Sequence, residues 1–223
     1  MNATIQYQNP LDPLRSSQGV ELIRQRFGVD PVAPSPIQIR ASRHKELLAL
    51  WRDLGYVRIA EIGTETGRYA EEICRAVPGV RLFCVDPYTA YDRYADHVSQ
   101  SRLDHFLNIA QSRLLHQNQF NVQFIRETSL DAAAHWHGPL LDAVFIDGNH
   151  DFDFVVRDII AWAPLVRSGG MVAGHDYKRE GAEHTPIPFG VIEAVNAYTA
   201  AHKISPWFVT RGDRCPSWFW VKR

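Results

Sequence analysis

Sulphur, charge bias and long apolar runs are all scarce in this chain. Its 223 residues include only three cysteines and two methionines. Cys74, Cys84 and Cys215 are odd in number and lack CxxC spacing. They are expected to be reduced thiols of a cytosolic protein, not a disulfide frame or a thiolate metal site. Lys and Arg total 24 against 25 Asp and Glu, a net charge of -1. That balance leaves no broad basic field for nucleic acid. No apolar run approaches the roughly 18–20 residues of a membrane span. Met1 to Pro10 has neither the basic nor the apolar region of a signal peptide. Internal repeats and low-complexity tracts are absent too.

What is present is a globular composition, with 45% hydrophobic and 22% charged residues. A chain this long buries on the order of 70% of its unfolded surface and needs no staple to fold. Residues 1–45 carry five prolines (Pro10, Pro13, Pro31, Pro34 and Pro36). They are expected to form a loop-rich N-terminal extension with no strand, broken by a short helix over Ser17–Phe27, and to cover part of the substrate site. A clearer helix is expected from an N-cap at Ser42 to about Leu54.

From there apolar runs alternate with helical patterns. Strands are expected at 57–63, 80–86, 121–126, 141–147 and 171–176. Helices are expected at 67–77, 97–117, 129–136, 152–165 and 191–202. Two last strands, 204–211 and 217–222, are separated by Gly212-Asp213 and read as a hairpin. The pattern predicts an α/β fold: a Rossmann-like, doubly wound, mainly parallel seven-stranded sheet with an antiparallel C-terminal hairpin, spanning 46–223. In such sheets ligands bind outside the carboxyl ends of the strands. The stretches of interest are therefore Glu61–Gly67, Asp86–Tyr88, Thr128–Ser129, Asp147–His150 and Gly174–Tyr177.

The first of these reads Glu61-Ile62-Gly63-Thr64-Glu65-Thr66-Gly67. Its glycines allow a tight turn and close approach of a ligand to the backbone. It is not GxGxxG, because Glu65 stands at the middle position, where a carboxylate would repel a pyrophosphate. Asp86 ends the next strand and can accept from two ribose hydroxyls. The two features in this order point to a nucleoside ligand without phosphates.

Here the chain resembles the class I S-adenosylmethionine-dependent methyltransferases, whose first motif is an acidic residue followed by G-x-x-x-G. Glu61, Gly63, Gly67 and Asp86 match it. The resemblance implies that the loop from Glu61 through Ile62, Gly63 and Thr64 to Gly67 lies along the methionine part. Asp86 with Pro87 would hold the ribose, and Thr128 and Ser129 would contact the adenine. The second half narrows the likeness. Ile146-Asp147-Gly148-Asn149-His150, then Trp162, Pro164-Leu165, Gly169-Gly170 and Gly174-His175-Asp176-Tyr177, resemble bacterial O-methyltransferases that include enzymes acting on sugars of macrolides. The likeness spans about residues 57–200 and implies methylation of a hydroxyl on a glycosylated small molecule or bacterial glycan.

A hydroxyl is a poor nucleophile while protonated. A divalent cation lowers its pKa and holds it in line with the methyl group, and a histidine in reach can take the proton. Asp147 and Asp176 end adjacent expected strands, so their carboxylates can converge on one cation. Asp147, His175 and Asp176 are read as metal ligands (Mg²⁺ or Mn²⁺) and His150, helped by Asp147, as general base. His175 departs from the carboxylate or amide of metal-dependent relatives. It softens the site toward Mn²⁺, Fe²⁺ or Zn²⁺, or else it bonds substrate with no metal at all. A nicotinamide-dependent oxidoreductase fits less well, since the loop lacks a third glycine. A non-catalytic nucleoside-binding domain would not need a base beside a cation site.

Tyr88, Tyr91 and Tyr94 recur at a spacing of three. They suit a helix face on the core better than an aromatic wall with Arg93 and His97. Lys178–Phe189, with Arg179, His184, Pro186 and Pro188, is expected to face substrate. Trp207, Phe208, Trp218, Phe219 and Trp220 are expected in the sheet core, and any exposed part of them would form a homodimer surface.

Overall fold

The computed structural model describes residues 13–91, 99–115, 120–179 and 189–223. Among these the chain runs α1 (Pro13–Phe27), β1 (Ile37–Ile39), a wide π-type turn at Arg43–Leu47, α2 (Leu48–Asp53), β2 (Arg58–Ile62), α3 (Arg68–Ala76) and β3 (Arg81–Val85). It continues with α4 (Gln100–Leu115), β4 (Asn121–Ile125), α5 (Ser129–Ala134), β5 (Leu141–Ile146), α6 (Phe152–Trp162), β6 (Val166–Gly174), α7 (Val191–Ala201), β7 (Phe208–Thr210) and β8 (Trp218–Val221). The sheet has eight strands in the order β1-β7-β8-β6-β5-β2-β3-β4. Strands β2 to β6 run parallel where they pair, so their carboxyl ends share one edge. Strand β8 is antiparallel to both β6 and β7.

The α/β class and the C-terminal hairpin stand, but the sheet has eight strands instead of seven. The added strand is Ile37-Gln38-Ile39, inside the proline-rich stretch expected to lack one. Its two isoleucines face inward and Gln38 outward, and it pairs parallel with β7 at the sheet edge. Three residues behind a run of prolines are too short for periodicity to register, yet an edge position tolerates Pro36 immediately before the strand. A second difference lies at Ser168-Gly169-Gly170, expected to end a helix. These residues belong to β6, which begins at Val166. A Cβ on Gly170 would stand 2.6 Å from the Asp142 carbonyl oxygen, so only glycine lets the two strands approach there.

Each central strand is buried on both faces, which is why it reads as a continuous apolar run. Ile59, Leu82, Phe145 and Met171 face a layer built on Ile23, Leu50, Trp51 and Ile73 from α1 to α3. Ala60, Phe83, Val144 and Val172 face Val155, Ile159, Trp162 and Val195 from α6 and α7. Trp51, Trp162 and Trp218 are fully buried, and truncating any of them to alanine should cost about 3–5 kcal/mol. Trp207, Phe208, Phe219 and Trp220 are buried as well, so the hairpin aromatics belong to the sheet core. Among the described residues no helix is long and apolar enough to cross a membrane.

Candidate active site

One cavity of about 650 Å³ opens along the carboxyl edge of the sheet. It reaches from the β2–α3 loop, past the end of β3, to the ends of β4 and β5. Glu61, Ile62, Gly63, Thr64, Asp86, Pro87, Thr128, Ser129, Asp147 and His150 all line it, although the sequence places them in four separate stretches. Gly67 does not line it but forms its frame.

The β2–α3 loop is a backbone construction. Gly63 has φ +86°, and a Cβ there would stand 2.2 Å from the Asp147 carbonyl oxygen. Gly67 caps α3 with φ +70° and faces Leu114 and Ala110 of α4. Asp86 braces the loop: Oδ2 accepts from the Glu65 amide at 2.9 Å, and Oδ1 accepts from the Tyr88 amide at 2.9 Å. A carboxylate has about four lone-pair sites, so each oxygen keeps acceptor capacity toward the cavity. Burial raises the Asp86 pKa, and these amide bonds offset part of that rise. Glu61 is buried, its pKa is pushed well up by burial, and its Oε2 has no hydrogen-bond partner. An orphaned acceptor of this kind is expensive unless a ligand or water satisfies it.

At the other side of this half, the Thr128 hydroxyl is committed to capping α5. It accepts from the Asp131 amide at 3.2 Å and donates to the Asp131 carboxylate at 2.6 Å. Ser129 Oγ accepts from Trp162 Nε1 at 2.9 Å. Both residues line the cavity as expected, with their hydroxyls already engaged.

The end of β5 carries the charged half, where Asp147 and His150 line the cavity; His175 and Asp176, at the end of β6, contact them without lining it. Asp147 follows β5, and His175 and Asp176 follow β6; because the strands pair, the three side chains converge. His175 Nδ1 lies 3.4 Å from both Asp147 Oδ1 and Asp176 Oδ2. His150 Nε2 lies 3.0 Å from Asp176 Oδ2 and 3.6 Å from Asp147 Oδ1. The shorter contact is ionic and lacks the geometry of a directed hydrogen bond. His150 stacks on Phe189, centroids 4.4 Å apart. Burial alone would lower both imidazoles; the two carboxylates outweigh it and raise each to about 9. Burial alone would raise both carboxyls; the histidines outweigh it and hold Asp147 and Asp176 well below the usual carboxylate range. Asp176 has φ +53°, a left-handed backbone that costs a non-glycine residue roughly 1–3 kcal/mol and clusters at functional sites.

Two further cations reach these carboxylates. Arg43 Nη1 donates to Asp147 Oδ2 at 2.9 Å, and Lys178 Nζ lies 3.6 Å from Asp176 Oδ1. Sequence reasoning missed Arg43, which arrives from 104 positions away. It is aimed by the turn before α2. Ser42 Oγ accepts from the Lys45 amide at 3.2 Å, and Glu46 accepts from the Ser42 amide at 2.8 Å, a reciprocal cap. The guanidinium sits over the Tyr69 ring. Tyr69, Arg43 and His44 all line the cavity.

A divalent cation fits this donor set. One ligand atom from each of Asp147, His175 and Asp176 lies within 4.8 Å of the others, and Asp176 Oδ1 is buried without a hydrogen-bond partner. Imidazole beside two carboxylates suits Mn²⁺, Fe²⁺ or Zn²⁺ as well as Mg²⁺. Of the tyrosines, Tyr88 is core, with its hydroxyl donating to the Glu65 carbonyl at 2.7 Å. Tyr91 is partly exposed and lines the cavity beside Phe154. Neither lies on a helix. Arg93, Tyr94, His97, His184, Pro186 and Pro188 lie outside the described residues.

The doubly wound sheet, a glycine turn after its first central strand and an acid ending the next define an α/β fold with its cavity at the carboxyl ends of the strands. A family model described as a methyltransferase domain matches residues 60–177, more than half of the chain. The chain belongs to this methyltransferase family. Its fold is similar to the O-methyltransferase TomG from Streptomyces achromogenes, involved in tomaymycin synthesis and solved in complex with S-adenosylmethionine. The TM-score is 0.59 at 20% identity, covering 96% of this chain and 92% of that one. It is similar as well to an O-methyltransferase from Bacillus cereus in complex with S-adenosylhomocysteine, with TM-score 0.58, 17% identity and coverage of 98% and 94%. Among curated proteins no match is found.

Proposed function

We propose that the protein transfers the methyl group of S-adenosylmethionine to a hydroxyl, on a glycosylated small molecule or bacterial glycan. The observation that carries this reading is the continuity of the cavity. It joins the Gly63 turn and Asp86 to Asp147 and His150 without a break. A ligand whose ribose is held at Asp86 and whose tail lies along the glycine turn brings its sulfonium methyl toward the charged half. The two solved structures above carry that cofactor or its product, which supports the same assignment here.

In this reading Glu61 Oε2 and the loop amides bind the methionine part, and Asp86 orients the ribose. Proximity and alignment then supply much of the rate. His150, on the same loop as Asp147, takes the proton of the acceptor hydroxyl in its neutral form; because the two carboxylates raise it to about 9, it is charged in the resting site at neutral pH and turnover should rise as pH approaches that value. Asp147 and Asp176 orient His150 and hold its charge once it is protonated. Asp147, His175 and Asp176 would hold a divalent cation, which when bound acidifies and orients the acceptor hydroxyl. Arg43 competes for Asp147 Oδ2 and keeps that carboxylate compensated in the resting site. Arg43 and His44, next to the end of the N-terminal segment, cover the charged end of the cavity, while α1 and β1 of that segment belong to the core and the sheet.

The test is incubation with methyl-labelled S-adenosylmethionine and a panel of sugars, phenols and alcohols, followed by mass spectrometry. The expected product is a labelled methyl ether formed in step with S-adenosylhomocysteine. Label found only on nitrogen or carboxyl groups would contradict the hydroxyl assignment.

A further inference from the structure

Phe189 is a large aromatic residue with no place in the main core. Among the described residues it belongs to neither apolar layer of the sheet, and it does not line the cavity. Its ring lies instead flat against the imidazole of His150, with centroids 4.4 Å apart and planes 12° from parallel. Lys178 Nζ stands 5.3 Å from the centre of the same ring and 3.6 Å from Asp176 Oδ1.

The next residue holds the ring in place. The Gly190 amide donates to the His150 carbonyl at 2.8 Å, so residues 189 and 190 grip His150 by side chain and backbone together. A Cβ on Gly190 would stand 2.5 Å from the Phe152 amide nitrogen, so only glycine lets the chain pass this close to the start of α6. The Gly190 carbonyl accepts from the Ala194 amide at 2.9 Å, in the first turn of α7. Val191 and Val195 of that helix pack in the core. The aromatic face is thereby anchored to the ends of two helices.

An imidazole needs such an anchor, because its terminal torsion is broad and roughly two-fold. Hydrogen bonds do not fix the plane here. His150 Nε2 is buried without one, and its contacts to Asp176 and Asp147 are ionic. An ionic contact lacks the angular preference of a hydrogen bond, whereas a flat stack sets the plane of the ring. We propose that Phe189 is a positioning residue for methyl transfer, holding the plane of His150 so that the imidazole is aligned before the acceptor hydroxyl arrives. This rests on the reading above in which His150 takes the acceptor proton.

The test is a double-mutant cycle on turnover, with the acceptor from the panel above that gives the labelled methyl ether. A misplacement of about 1 Å costs up to a hundredfold in rate, so Phe189→Leu should lower kcat roughly ten- to a hundredfold while KM for S-adenosylmethionine stays within about threefold. Phe189→Tyr keeps the flat face and should restore kcat to within about threefold of the wild type. In a His150→Ala background F189L should cost less than about twofold further, because the ring acts only through the imidazole. The histidine NMR spectrum gives a second reading that needs no acceptor: the His150 ring signals, identified by their loss in H150A, should shift and broaden in F189L and stay sharp in F189Y. Equal losses from F189L in both backgrounds, or failure of F189Y to restore turnover, would mark a merely structural ring and overturn the proposal. Unchanged His150 signals in F189L overturn it too. Loss of turnover in H150A with none in F189L overturns the proposal alone. Full turnover in H150A, or no methyl ether from the wild type, overturns the reading of His150 as base and the proposal with it.

Discussion

The two halves of the cavity are built by opposite means. The half at β2, β3 and β4 relies on backbone: a turn that only glycine can make at Gly63, an aspartate braced by two amides, and hydroxyls spent on local bonds. The half at β5 and β6 relies on side-chain charge, with Asp147 and Asp176 facing Arg43, His150, His175 and Lys178 within 3.6 Å. A backbone site is rigid before its ligand arrives. A charge cluster is poised to exchange one cation for another, whether guanidinium, proton or metal. The difference suits a cofactor that must be held in one place and an acceptor that must be activated.

The comparison can be broken most severely at Gly63. Gly63→Ala forces a Cβ onto the Asp147 carbonyl, and a cost of roughly 3 kcal/mol or more is expected from overpacking at a left-handed position. Thermal melting and S-adenosylhomocysteine binding should both collapse. His150→Ala should separate the halves: turnover falls about 10²- to 10⁴-fold, as for loss of a general base, while cofactor affinity stays within about threefold. Equal losses in both would merge the halves. Chelation should act on the charged half alone, lowering turnover by about a hundredfold or more with restoration by Mn²⁺ or Mg²⁺ and no change in cofactor affinity.

Asp86→Ala strikes the backbone half. Loss of a charged acceptor of ribose hydroxyls costs about 1.5–3 kcal/mol, so S-adenosylhomocysteine affinity should fall about tenfold to a hundredfold. The smallest effect concerns stability. The folded-state carboxyl of Asp158 is pushed up to about 7 from 3.8 by burial, so folding favours its protonated form. Stability from that source is full at low pH and is lost as pH rises through about 7. Asp158→Asn should accordingly gain about 1–3 kcal/mol over the wild type at pH 8 and little at pH 4, read from urea midpoints.

The backbone half was legible in the sequence because its signals are local. Glu61, Gly63, Gly67 and Asp86 stand within one β-α-β unit, and strand ends mark where they go. Convergence of Asp147, His175 and Asp176 could also be read, since each follows a strand that pairs with the other. Arg43 could not, because its partner is chosen by tertiary folding and the turn that aims it has no periodic signature. Strand β1 escaped for want of length. Asp158 left a trace that went unused: an acid in the middle of the stripe Val155, Ile159 and Trp162 is out of place unless something polar meets it. The charges of the acidic half, finally, depend on mutual distance, which no linear pattern conveys.

Calorimetric titration with S-adenosylhomocysteine, run once in excess chelator and once with Mn²⁺, tests the central claim most directly. A preformed backbone site that is independent of the charged half predicts saturable one-to-one binding with the same affinity in both runs. Absence of binding in both would contradict the cofactor assignment, and binding that appears only with metal would contradict the independence of the two halves.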